Sequence, residues 1–391
     1  MLAGRCYEMH WTKADGIGGK IKERIEDFQV WEIPKQKPVS EKPEENEYTL
    51  FTLEKWNWDA NRALQTLARA LRVSIKRLGV AGTKDRRAVT RQRISVWKIS
   101  EEQLRQIKIR GLTLSDFSKS SERIVLGDSE GNRFEVTIRG IESDEKTLKK
   151  RMEALFKEIG KGIPNVFGEQ RFGTTRPVTA LVGKALLKGD LEGACRIYLA
   201  KEFEGEMDDA ATARAELNNK WGTKEGYLEA LKLFPERLDF ERSMLDSLSK
   251  LPTDFAAALR RLPKRLRKMF INAVQAEIWN RTVERQWKKG LKQQELPLPG
   301  YDTVFDKKNK LHVEMQKIME EAGITLKEFK LPHSPDLATT GGMRKVLLIP
   351  EGMKMIDVAA DEFNEGKLKA TITFTLPAGA YATVVLAEII K

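Results

Sequence analysis

Ala81-Gly82-Thr83-Lys84-Asp85-Arg86-Arg87-Ala88-Val89-Thr90-Arg91-Gln92 sets a single carboxylate, Asp85, among Lys84, Arg86 and Arg87. An acid surrounded by cations stays ionised and makes a poor proton donor. It suits a nucleophile or an electrostatic stabiliser acting on a polyanion that the same cations hold. Charge pattern by itself equally describes a solvated turn with a local salt bridge, the commoner meaning of such clusters. Gly82 lets the backbone turn sharply or approach a ligand closely.

On either side of this stretch the chain alternates between strand and helix signals. Asp27–Ile33 and Tyr48–Leu53 carry the branched and aromatic residues of strands, and Val89–Ile99 leaves the Asp85 segment as another. Ala60, Ala63, Leu64, Leu67, Ala68 and Leu71 recur at helical spacing behind a cap at Asn57 or Asp59. Arg133–Ile138 alternates strictly, and Leu148, Met152, Leu155, Phe156 and Ile159 form one helical stripe. A second dense motif, Pro164-Asn165-Val166-Phe167-Gly168-Glu169-Gln170-Arg171-Phe172-Gly173, precedes a short helix over Val178–Leu187. From about 190 to 340 helical signals and long charged faces dominate. There Arg260, Arg261, Lys264, Arg265, Arg267 and Lys268 read either as a solvated face or as a phosphate-contacting ridge. Thr371–Leu376 returns to strand alternation, and Tyr381–Ile390 fits a helix or a strand equally.

With 391 residues the chain has room for about two domains. A net charge of +12 points to a polyanionic partner, nucleic acid before an anionic membrane surface. No apolar run is long enough to span a bilayer, and the first residues lack the order of a signal peptide, so a cytoplasmic location is expected. Cys6 and Cys195 cannot build a disulfide framework or a four-ligand zinc site, and His10, His312 and His333 show no metal-ligand spacing. No metal is therefore expected. The chain lacks GxxxxGK[ST], since Gly19-Lys20 is followed by Ile21, and no GxGxxG follows a strand. Nucleotide hydrolysis and dinucleotide or methyl-donor chemistry are accordingly disfavoured.

Several of these stretches, in order, resemble the TruD family of pseudouridine synthases. Ala81–Gln92 resembles the family's signature segment. Glu26-Asp27-Phe28-Gln29-Val30, with Lys22 ahead of it, is similar to the N-terminal motif, and Gly131-Asn132-Arg133-Phe134 to another. Pro164–Gly173 resembles PNxFGxQRFG, and Leu376–Val385 resembles LPxGSYATVV. Two positions depart: Ala380 stands where many members have serine, and Ala387 where an arginine is usual, which removes a cation near the chain end.

The resemblance implies an α+β fold: a pseudouridine-synthase catalytic domain with a mixed, largely antiparallel sheet, plus an inserted, mainly helical α+β domain. The catalytic domain is expected over 1–190 and 341–391, the insertion over 191–340, and the RNA site in the cleft between them. It implies isomerisation of uridine in tRNA, at position 13 of the D arm, with no cofactor and no protein partner. Asp85 is the implied catalytic residue, attacking ribose or base or abstracting a ribose proton. Lys22 is the cation implied to pair with it. Phe167 is expected to stack on the extruded uracil, while Phe172 is expected to pack in the core. Asn165 is expected either to read the uracil edge or to fix its own turn. Lys84, Arg86, Arg87, Arg91, Arg171, Arg265 and Arg267 are the expected RNA-binding cations. A non-catalytic tRNA-binding or tRNA-folding protein of the same fold is the alternative; another RNA-modifying enzyme, such as a methyltransferase, is the third possibility.

Overall fold

A computed structural model describes residues 10–287, 290 and 295–391; Cys6 and the start of the chain lie outside the described residues. The described chain divides into two compact units, one of residues 10–163 with 348–391, the other of residues 164–347.

The first unit is built on a nine-stranded sheet. Its strands are β1 (Lys20–Ile21), β2 (Phe28–Pro34), β3 (Tyr48–Trp56), β4 (Leu78–Val80), β5 (Val89–Trp97), β6 (Leu112–Ser120), β7 (Ser129–Ile141), β8 (Glu351–Ala360) and β9 (Leu368–Pro377). The main path runs β8-β9-β7-β2-β5-β3-β6, with β1 on β7 and β4 on β5. Only β2 and β5 run parallel; every other pair is antiparallel. The sheet is therefore mixed and largely antiparallel.

Alternation sets the two faces of each strand. On β2, Phe28, Val30 and Glu32 point inward, while Gln29, Trp31 and Ile33 are half-buried. On β3, Phe51, Leu53 and Lys55 share the inward face. Helix Ala60–Ala70 starts at Asp59, whose carboxylate accepts from the Arg62 amide at 2.9 Å. It buries Ala63, Leu64, Leu67 and Ala68 against Phe51, Leu53, Ile94 and Val96. Burial of each leucine contributes roughly 1.5–3 kcal/mol. Helix Glu145–Ile159, capped by Asp144, buries Leu148, Met152, Leu155 and Ile159.

Periodicity leaves the end of the chain open, and packing decides it: Ala382–Ile390 is a helix. Its Glu388 is buried and accepts from the Trp11 and Thr12 amides and the Thr12 hydroxyl at 2.7–3.0 Å. Ala387 faces outward on the same helix.

The second unit is mainly helical. Its long helix Lys264–Trp287 is packed by helix Thr179–Leu187, and a short antiparallel pair joins Glu295–Leu298 to Gly342–Lys345. A Cβ on Gly183 would meet the Phe270 carbonyl at 2.2 Å, so only glycine permits this helix approach. That contact ties residues 164–190 to the helical unit, whereas the sequence reading carries the first catalytic stretch to residue 190. No helix among the described residues is long and apolar enough to cross a membrane.

Candidate active site

Lys22 follows β1 in the left-handed region, at φ 60, and turns the chain into a tight loop that ends at Asp27. The buried Asp27 carboxylate accepts from the Arg24 amide at 2.7 Å and from Arg139 Nε at 2.8 Å. Arg139 continues to Asp361 at 3.0 Å. Asp361 also accepts from the Gly140 amide at 2.8 Å, the Phe363 amide at 3.1 Å and Asn364 at 2.8 Å. Asn364 then donates to Glu23 at 3.1 Å. A buried ionic network thus holds both ends of the Lys22–Asp27 loop.

The Lys22 ammonium lies 3.0 Å from Asp85 Oδ2 and 4.0 Å over the Phe28 ring. Phe28 is held edge-on by Phe134, which stacks on Phe374. The Asp85 side chain is 34% exposed and that of Lys22 is 19% exposed. The carboxylate is reachable by a ligand, while its counter-ion is largely enclosed.

Two further lysines fix the Asp85 segment from beneath. The Lys55 ammonium donates to the Asp85 carbonyl and, at 2.9 Å, to the Trp58 carbonyl. Lys55 is 1% exposed, and burial pushes it down to about 8, against the opposing pull of the Asp85 charge. Lys84 Nζ meets the buried Glu32 carboxylate at 2.5 Å, and Glu32 also accepts from the Arg93 amide at 3.0 Å. Lys84, expected among the phosphate-holding cations, is turned inward and anchors the segment to β2. Sequence reasoning missed Lys55, Glu32, Arg139 and Asp361. For the first two a signal existed: each is a charged residue at a core-facing position of an alternating strand.

Lys55 yields a testable pH effect. Its native value lies below the 10.5 of the free side chain, so between pH 8 and 10.5 the unfolded chain binds more protons and stability rises with pH. The stability difference between wild type and Lys55→Met should shift in favour of wild type by about 3 kcal/mol across that window. Urea midpoints at pH 7 and pH 10.5 measure it; a constant difference would show that burial does not lower the Lys55 value.

In the helical unit, Asn165 spends both ends of its amide on the strand Gly342–Lys345. Its Nδ2 donates to the Lys345 carbonyl at 3.0 Å, and its Oδ1 accepts from Arg344 at 2.7 Å. These bonds tether the Asn165 turn to that strand. Phe167 is 7% exposed, its ring edge-on to Trp279, with the Arg344 guanidinium 4.1 Å from the ring centre and that of Arg171 at 5.6 Å. Asn280 brackets its backbone, accepting from the Phe167 amide at 2.9 Å and donating to its carbonyl at 3.0 Å. The Arg344 guanidinium thus covers one face of the Phe167 ring. Phe172 is buried.

The remaining cations divide. Arg86 and Arg87 are exposed beside Asp85. Arg91 pairs with Glu54 and lies 5.6 Å from the Trp31 ring. Arg265 is exposed on the first turn of its helix. Arg267 is largely buried, bonded to Asp336 at 3.2 Å and to the Leu262 carbonyl at 3.3 Å, which gives it a structural role.

The chain is similar to known proteins over nearly its whole length. The family model for tRNA pseudouridine synthase D (TruD) matches residues 6–296 and 288–389. A Methanosarcina barkeri protein named "Probable tRNA pseudouridine synthase D" is 36% identical, over 98% of this chain and 95% of its own length. A Methanopyrus kandleri protein of the same name is 35% identical, over 88% and 85%. The crystal structure of a Methanosarcina mazei protein assigned to tRNA pseudouridine synthase D aligns with a TM-score of 0.78 at 32% identity, covering 98% of this chain and 96% of that one. The chain belongs to the tRNA pseudouridine synthase D (TruD) family.

Proposed function

We propose that Asp85 is the catalytic carboxylate of this chain and that the uridine it acts on is position 13 in the D arm of tRNA. The chain is an isomerase that converts uridine to pseudouridine in tRNA. The observation that carries the assignment of Asp85 is the Lys22–Asp85 contact of 3.0 Å, part-exposed at the edge of a basic segment.

The reaction breaks the bond from ribose C1′ to uracil N1 and makes one from C1′ to C5. The C5 proton leaves and N1 gains one, so nothing is oxidised or transferred elsewhere. Its balance requires no cofactor. Attack on C1′, attack on the base and removal of a ribose proton all begin from an ionised carboxylate. Lys22 supplies the positive charge that this form needs, and the Phe28 face holds the ammonium in place. A stacked uridine must first be extruded, at a cost of a few kcal/mol, which phosphate contacts at Arg86 and Arg87 help to offset. The cytoplasm, where tRNA is found, is the proposed location.

One tRNA transcript treated with the protein alone and mapped for pseudouridine tests this reading. Pseudouridine should appear at position 13; modification at another uridine would overturn the assignment of the target.

The ridge at the start of helix Lys264–Trp287 belongs to the same proposal, with Arg265 and its exposed neighbours Arg260 and Lys268 contacting phosphate. Reversing Arg265 to glutamate should lower the slope of log Kd against log salt by about 0.7–0.9 per lost phosphate contact. An unchanged slope would place the ridge in solvent.

A further inference from the structure

A cleft of about 620 Å³ opens beside the Lys22–Asp85 pair, lined among others by Glu23, Glu26, Trp56, Asn57, Arg86 and Arg87. Glu23 follows Lys22 and Arg86 follows Asp85, so the cleft begins one residue from each partner. Its volume falls in the range of small-ligand sites. Trp56 is 45% exposed, yet its side chain is held: its Nε1 donates to Glu26 at 3.1 Å, and its backbone amide donates to the Gly111 carbonyl at 3.0 Å. Asn57, at φ 57, turns the chain away and donates its amide to the Ala88 carbonyl at 3.1 Å. The indole is thereby tied to the segment that carries Asp85.

The charges are also arranged for an anion. Glu23 is engaged by Asn364, and Glu26 by Trp56 and by Arg24 at 3.6 Å. Arg87 donates to the Glu23 carbonyl at 3.1 Å, and among the described residues no carboxylate pairs with Arg86. An exposed, immobilised indole beside two arginines matches the chemistry that binds one nucleotide: a π-face for the base and cations for the phosphate. Extrusion of a uridine creates the need, because it strips its neighbours of stacking.

We propose that this cleft is a subsite for one nucleotide flanking the reacting uridine, its base on Trp56 and its phosphate at Arg86 and Arg87. The proposal rests on Asp85 being the reaction centre. The test is a double-mutant cycle with full-length protein and a tRNA made abasic at either neighbour of the target uridine. Trp56→Ala and the abasic change at one neighbour should each weaken tRNA binding about tenfold, and combining them should cost no more than either alone. Trp56→Phe should restore most of the loss on intact tRNA. Full additivity at both neighbours, or intact binding by Trp56→Ala, would overturn the subsite. The cycle is run in parallel in Asp85→Asn protein. Pseudouridine formed by Asp85→Asn would instead remove the reaction centre, whatever the cycle shows.

Discussion

Arg139→Met should lose about 3–5 kcal/mol of folding stability, because it leaves two buried carboxylates without their shared cation. Arg139 is 6% exposed; Asp27 is 2% and Asp361 is 5% exposed. Burial alone pushes the Asp361 carboxyl up. Hydrogen bonds from the Gly140 and Phe363 amides, from Asn364 and from Arg139 more than offset that and hold it at about 2. Its folded value is below the ordinary 3.8, so the group stabilises the fold above about pH 4, and this contribution is lost as pH falls through 2. The urea-midpoint gap between wild type and Arg139→Met should therefore be full at pH 7 and narrow in acid. Arg139→Lys keeps the charge but cannot bridge both carboxylates, and should fall between them. A gap below about 1 kcal/mol at pH 7 would show that this network does not hold the Lys22–Asp27 loop.

The second large effect is chemical. Asp85→Asn keeps the size of the side chain, its backbone carbonyl for Lys55 and the surrounding arginines. It removes the negative oxygen opposite Lys22. Turnover should fall at least about 10⁴-fold, the scale seen when a residue central to a reaction is removed. Affinity for tRNA should change little, since Arg86, Arg87 and the helical ridge remain. Lys22→Met should also slow turnover, but with the carboxylate still present it should keep more activity than Asp85→Asn. The reverse order would make Lys22 the more important of the two.

The sheet was largely legible because its strands alternate and its helices carry long stripes. The parallel pairing of β2 with β5 was not, since pairing partners are set by contacts distant in sequence. The Asp85 segment stood out by its charge. Lys84 shows the limit of such reasoning: among four neighbouring charges, sequence cannot tell which one turns inward to a glutamate more than fifty residues away. Phe167 shows a related limit. An aromatic in a glycine-rich turn suits stacking, and only the arrangement of Arg344 and Trp279 around it reveals a covered ring. Asp361 carries no local signal at all; its role appears only when β7 brings Arg139 beside it.

Release of tritium from C5 of uridine in tRNA, followed in a single turnover with all tRNA bound, reports directly on the bond exchange assigned to Asp85. Wild-type protein should release the label, and Asp85→Asn should hold the same tRNA and release none above background. Equal release by the two proteins would contradict the assignment of Asp85.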